Sequence, residues 1–146
     1  MAVLKITVGF GTRLEAIKMA PVISQLQDLE EFRPCVVLTA KHGSMLDQVF
    51  DILHIEPDYD LNIMQPGQSL TEITRRALVG LEEPRRSESP DMALVQGDTT
   101  TAFVGGLAAF YHQTPIGHIE AGLRTRDKYN PYTKEVNRHF LDVLAY

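Results

Sequence analysis

Apolar positions along the chain fall into two rhythms that take turns. Residues 3–9, "VLKITVG", form a β-branched apolar run. The segment after it, "RLEAIKMAPVISQLQDL", repeats apolar side chains at Leu14, Ile17, Val22 and Leu26 with helical spacing. Pro21 lacks a backbone donor and is expected to kink or restart that helix. The exchange then recurs. "CVVLTA" (35–40) reads as a strand, and "SMLDQVFDIL" (44–53) as a helix with Met45, Leu46, Val49, Ile52 and Leu53 on one face. "YDLNIM" (59–64) is a short third strand, and Pro66-Gly67 marks a turn. Ser69 followed by Glu72 predicts a capping box for a helix over 70–83. "PRRSESP" (84–90) reads as a polar connector. After it come a strand over 91–97, a helix over 99–113, a strand over 115–121 and a closing helix over 133–146.

Strands alternating with helices imply right-handed βαβ crossovers, and hence a parallel sheet with helices on both faces. The predicted fold is an α/β, Rossmann-like domain spanning residues 1–146. Ligands in such sheets bind beyond the carboxyl ends of the strands. Three predicted strand ends carry polar residues there: Gly11-Thr12-Arg13, Gly97-Asp98-Thr99, and His118 with Glu120.

Each of these has a plain reading beside a functional one. Gly9-Phe10-Gly11 after a strand is part of a dinucleotide fingerprint, but Leu14 stands where the third glycine belongs. Arg13 lies at the turn itself, where a cation and helix N-terminal amides would jointly hold an anion. Lys18, taken alone, reads as a solvated helix residue. Asp98 and the three threonines after it make a good helix start, and Asp98 at a strand end also faces any ligand. Alternation puts His118 and Glu120 on one face of their strand and Ile119 on the other. A carboxylate near the end of a buried strand is costly unless paired, which makes Glu120 a site residue. His118 is equally a satisfied core histidine. The polar stretch over 122–135 is long for a loop in a compact domain, as functional lids are.

Composition narrows the chemistry. The net charge of −5 argues against a broad nucleic-acid footprint. The single cysteine, Cys35, sits in an apolar run and reads as a buried, inert thiol in a reducing compartment. His-x-Glu is part of a zinc-deaminase signature, but that needs Pro-Cys-x-x-Cys downstream, so a metal site is not expected. No stretch has the length of a signal peptide or a membrane span, and a cytoplasmic protein with no membrane or nucleic-acid partner is the default expectation.

Longer motifs then accumulate: "FGTR-EAIKMAP", "MLDQV", "PDYDLNIMQPGQ-LTEIT", "GDTTT", "LAAFY", "P-GH-EAGLRT-D-Y-PY" and "NR". Together they resemble the non-hydrolysing UDP-N-acetylglucosamine 2-epimerases, from the first strand to about Arg138. The resemblance implies the N-terminal half of a GT-B fold, with the C-terminal UDP-binding domain absent from this chain. It implies an isomerase of cell-surface polysaccharide biosynthesis that interconverts UDP-GlcNAc and UDP-ManNAc by eliminating UDP and adding it back. No cofactor and no metal are implied. The half alone is expected to be inactive, with a separate second-domain chain or a homodimer as possible partner. Asp98, Glu120 and Glu135 would be catalytic, and Arg13, Lys18, His118 and Arg124 would bind substrate. His42 would be the remnant of an allosteric segment that reads Lys41-His42-Gly43 here. The family's Pro-Glu-Glu run falls on Thr133-Lys134-Glu135, so Lys134 stands where the carboxylate assigned a catalytic role would be. Two rival readings stand beside this one. The first is a non-catalytic half-protein that keeps a sugar-nucleotide surface. The second is a dinucleotide-binding domain of an oxidoreductase, against which stand the missing third glycine and the lack of an acidic residue after "CVVLTAKHG".

Overall fold

The computed structural model describes residues 2–39 and 44–146. Its elements are β1 (Leu4–Phe10), α1 (Arg13–Asp28), β2 (Phe32–Leu38), α2 (Ser44–Leu53), β3 (Tyr59–Asp60), α3 (Leu70–Gly80), α4 (Glu82–Glu88), β4 (Met92–Gln96), α5 (Thr100–Tyr111), β5 (Ile116–Ile119) and α6 (Lys134–Leu144). The five strands form one parallel sheet in the order β3-β2-β1-β4-β5. The order reverses at β1, and β1 and β4 meet there, so the crevice at their carboxyl ends is the switch point of a Rossmann-like sheet.

Alternation along β1 sorts the core. Ile6, Val8 and Phe10 face α1 and α2 and pack with Ala16, Met19, Ile23, Leu46 and Phe50. On the opposite face, Cys35 and Val37 meet α3 and α5 through Ala77, Val104 and Ala108. Farther along that face, Ala93, Val95 and Ile116 meet α5 and α6 through Ala102 and Leu141. Burial of the Cys35 thiol pushes its pKa up to about 12, which keeps it protonated and unreactive. Helix α5 approaches α6 closely: a Cβ at Gly106 would lie 2.5 Å from Leu141 Cδ2. No described helix is long and apolar enough to cross a membrane.

Strand β3 ends at Asp60, short of the expected 59–64, and three other elements depart from the sequence reading, each for a local reason. Helix α1 runs through Pro21 without restarting. Pro21 and Ile17 both lie on the exposed face, so the Ile17 carbonyl left without its i+4 donor faces water. Helix α4 takes up most of the expected connector over 84–90 and begins at Glu82, where the helix expected over 70–83 has already ended at Gly80. Pro84 is its third residue, where a helix needs no N–H donor, and Glu82 and Glu83 precede Arg85 and Arg86 in the sense that the helix dipole favours. Strand β2 begins at Phe32 rather than Cys35, because its register with β1 starts at Leu4↔Phe32.

Candidate active site

The turn after β1 is built around a residue that the motif search passed over. Glu15 is buried, and its Oε2 accepts from the backbone N–H of Gly11 and of Thr12, each at 2.8 Å. Thr12 returns the favour by accepting from Glu15 N–H at 3.2 Å, completing a capping box at the start of α1. Glu15 Oε1 accepts the Thr99 hydroxyl proton at 2.8 Å, and Thr99 Oγ1 in turn caps α5 by accepting from Ala102 N–H. One internal carboxylate therefore joins the ends of β1 and β4. It also occupies two amides that a nucleotide phosphate in this turn would need. The side chain of Arg13 at this turn is exposed and makes no ion pair among the described residues. Beside the turn lies a cleft of about 180 Å³ lined by Gly11, Thr12, Thr39, Met64, Thr99 and Thr101.

Two further carboxylates stand at the ends of β4 and β5. Asp98 follows Gly97, whose φ of +76° turns the chain sharply out of β4. Its carboxylate pairs with Arg138 of α6, and its backbone carbonyl accepts from Asn137 Nδ2 at 2.9 Å. Glu120 follows β5 with a left-handed backbone, φ +62°. Lys18 of α1 lies 2.5 Å from Glu120 Oε2, and the amide of Gln96 donates to the same oxygen.

The left-handed step overturns the expected alternation. The register pairs Val95 with His118 and Gln96 with Ile119, so His118 faces α5 and α6 while Ile119 faces α1. Glu120 should return to the α6 side, but its backbone swings it toward Lys18 and Gln96 on the α1 side. His118 and Glu120 thus lie on opposite sides of the sheet. Both nitrogens of His118 are engaged within the protein: Nδ1 lies 3.2 Å from Asp142 Oδ1, and Nε2 lies 2.7 Å from the Gly97 carbonyl oxygen. Its side chain is 2% exposed, and it presents no nitrogen to a ligand.

The loop over 120–133 is held from below. Glu135, in the first turn of α6, is 1% exposed. Its two oxygens accept from the backbone N–H of Thr125 and Arg126, each at 3.0 Å, and His139 Nε2 lies 3.2 Å away. The Thr125 amide, helped by that of Arg126 and by His139, holds the Glu135 carboxyl below the usual carboxylate range against the opposing effect of burial. Each of its oxygens is thereby tied to the loop. Arg124 donates to the carbonyls of Ala121 and Leu123, each at 2.7 Å, and pairs with Asp142. Lys134, at the start of α6, is exposed. His42 lies outside the described residues.

Sequence reasoning missed Glu15, Arg138 and Asp142. Thr12-x-x-Glu15 carries a capping-box spacing and was there to be read. Arg138 and Asp142 lie 40 and 24 residues from Asp98 and His118, and nothing local announces those pairs.

A family model described as UDP-N-acetylglucosamine 2-epimerase matches residues 24–146. The UDP-N-acetylglucosamine 2-epimerase of Bacillus subtilis is 54% identical over 145 residues, which is 99% of this chain and 38% of that protein. A solved structure of the Neisseria meningitidis enzyme bound to UDP-GlcNAc superimposes with a TM-score of 0.93 at 51% identity, covering 97% of this chain and 38% of that one. The Methanocaldococcus jannaschii enzyme, in complex with UDP-GlcNAc and UDP, gives 0.89 at 32% identity, covering 97% of this chain and 39% of that one. The chain spans well under half the length of the relatives it matches.

Proposed function

The chain belongs to the UDP-N-acetylglucosamine 2-epimerase family, and on that premise we propose that it forms the sugar-facing half of an enzyme interconverting UDP-GlcNAc and UDP-ManNAc. The observation that carries the reading is the pair of carboxylates at the ends of adjacent strands: Asp98 after β4 and Glu120 after β5, each beside a cation. Inversion at C2 by elimination needs a base to take the C2 proton and an acid to return one on the other face, and Asp98 and Glu120 fill those roles. Arg13 and Lys18 meet the departing diphosphate, where they offset its developing charge. Glu135 acts at one remove. It fixes the Thr125–Arg126 segment and is not the group that moves a proton.

Turnover requires a second, nucleotide-holding domain in addition to this chain. With the diphosphate unheld, the sugar is not positioned against Asp98 and Glu120, and positioning contributes roughly 7–11 kcal/mol to reactions of this kind. Arg13 and Lys18 on an open face are also screened by water and salt. The test is incubation of the chain with UDP-GlcNAc in deuterated water, with and without a separately expressed second domain of a relative. Deuterium at C2 only in the mixture is expected. Deuterium with the chain alone would refute the need for a second domain, and none in either would refute the epimerase reading.

A further inference from the structure

We propose that Asp142 is a positioning residue that holds His118 as a doubly protonated ring, and that this ring fixes the Gly97–Asp98 turn from beneath. The geometry carries it. His118 meets an acceptor at each nitrogen, the Asp142 carboxylate at 3.2 Å and the Gly97 carbonyl at 2.7 Å. Neither partner has a proton to give, since a carbonyl oxygen and an ionised carboxylate only accept. A neutral imidazole has one N–H and one bare nitrogen, so it would set a lone pair against a lone pair at one of the two contacts. Nothing fits between atoms this close, and the side chain is 2% exposed. Only a ring with both protons satisfies the two contacts together.

The surroundings keep the arrangement in place. Asp142 comes from α6, and its other oxygen pairs with Arg124 from the loop. Arg124 is itself tied to the carbonyls of Ala121 and Leu123. Arg124 offsets part of the Asp142 charge, so the two acceptors, more than net charge, select the protonated ring. From β4 the ring's register partner is the apolar Val95. Among the described residues, no other recorded hydrogen bond or ion pair joins the ring to a charged group.

The clamp has a target. Gly97 is left-handed, and the direction of its carbonyl sets the direction in which Asp98 departs. His118 holds that carbonyl, Asn137 holds the next one, and Arg138 holds the Asp98 side chain. Three donors from two elements thus orient two successive residues. The catalytic weight of the clamp rests on the role proposed above for Asp98; the clamp itself does not.

The test is long-range proton–nitrogen correlation on the 146-residue chain with ¹⁵N-labelled histidine at neutral pH, the His118 signals being assigned by their loss in His118→Gln. Both His118 nitrogens are expected in the range of protonated ring nitrogens. In Asp142→Asn the side-chain amide can offer an N–H to Nδ1. The ring should then become neutral, with its proton on Nε2 and Nδ1 moved to the bare-nitrogen range, while the backbone amide spectrum is retained. A neutral His118 in the parent chain overturns the proposal, as does a ring that stays doubly protonated in Asp142→Asn. If that variant fails to fold, the parent spectrum still decides. No substrate is involved, so a failure here is distinct from a failure of C2 exchange, which bears on the epimerase reading alone.

Discussion

Lys18–Glu120 and Arg138–Asp98 are the same kind of contact in two different media. The first stands at the mouth, with side chains 48% and 34% exposed; the second is closed in, at 11% and 15%. An exposed pair is screened and contributes little, so Lys18 can leave Glu120 at small cost. A buried pair is costly to assemble and costlier to break, because the survivor is left charged without a partner. The contrast divides the site into a replaceable side toward α1 and a fixed side toward α6. Glu135 belongs to the fixed side, with both oxygens committed to backbone amides.

The largest effect should come from breaking the fixed side. Arg138→Met leaves Asp98 without its cation and is expected to lower stability by about 3–5 kcal/mol in urea unfolding. A loss under 1 kcal/mol would show that the two pairs do not differ as their burial says. Next comes Glu135→Gln, which keeps the shape but offers one acceptor oxygen where two amides now bond. The folded state holds the Glu135 carboxyl below its ordinary range. Its contribution is therefore complete above that range and is lost as pH falls through the lowered value. The variant should be less stable than the parent at neutral pH, and the gap should close in acid. A gap independent of pH would remove the carboxylate from the account.

Breaking the replaceable side should cost less. Lys18→Met is expected to change stability by under about 1 kcal/mol, while weakening the binding of UDP measured by calorimetry and flattening its salt dependence. Unchanged binding would mean that Lys18 serves Glu120 and no ligand. The smallest effect concerns Lys134, a cation in the first turn of α6, where the helix dipole favours an anion. Lys134→Glu should raise stability by about 0.3–1 kcal/mol. It should also increase C2 exchange in the mixture with a second domain. Exchange that stays level would show that a carboxylate at this position is not needed in this chain.

Much of the fold was legible in the sequence and little of this division was, for physical reasons. Period-two and period-3.6 patterns reflect which faces are buried, so the alternation of strands and helices could be read directly. A helix start at Asp98 and the threonines after it, and Asp98 at a strand end, also followed from local chemistry, while the structure selects Thr99 as the cap. Glu120 was found because a carboxylate near a buried strand needs a partner, yet the choice of Lys18 turned on a left-handed φ that no side-chain pattern encodes. Helix α4 was missed because a proline among charges reads as a connector unless its place in the first turn is known. Arg138, Asp142 and Glu135 act across the space between α6 and the strand ends, and a one-dimensional reading has no access to that distance.

The claim on which the rest depends is that Asp98 and Glu120 move the C2 proton. The direct measurement is deuterium incorporation at C2 of UDP-GlcNAc in deuterated water, with this chain completed by a second domain. Asp98→Asn and Glu120→Gln would be compared with the parent, and UDP affinity measured alongside. Each substitution is expected to slow exchange on the order of 10²- to 10⁴-fold while UDP affinity changes far less. Exchange that proceeds at the parent rate in both variants would contradict the assignment.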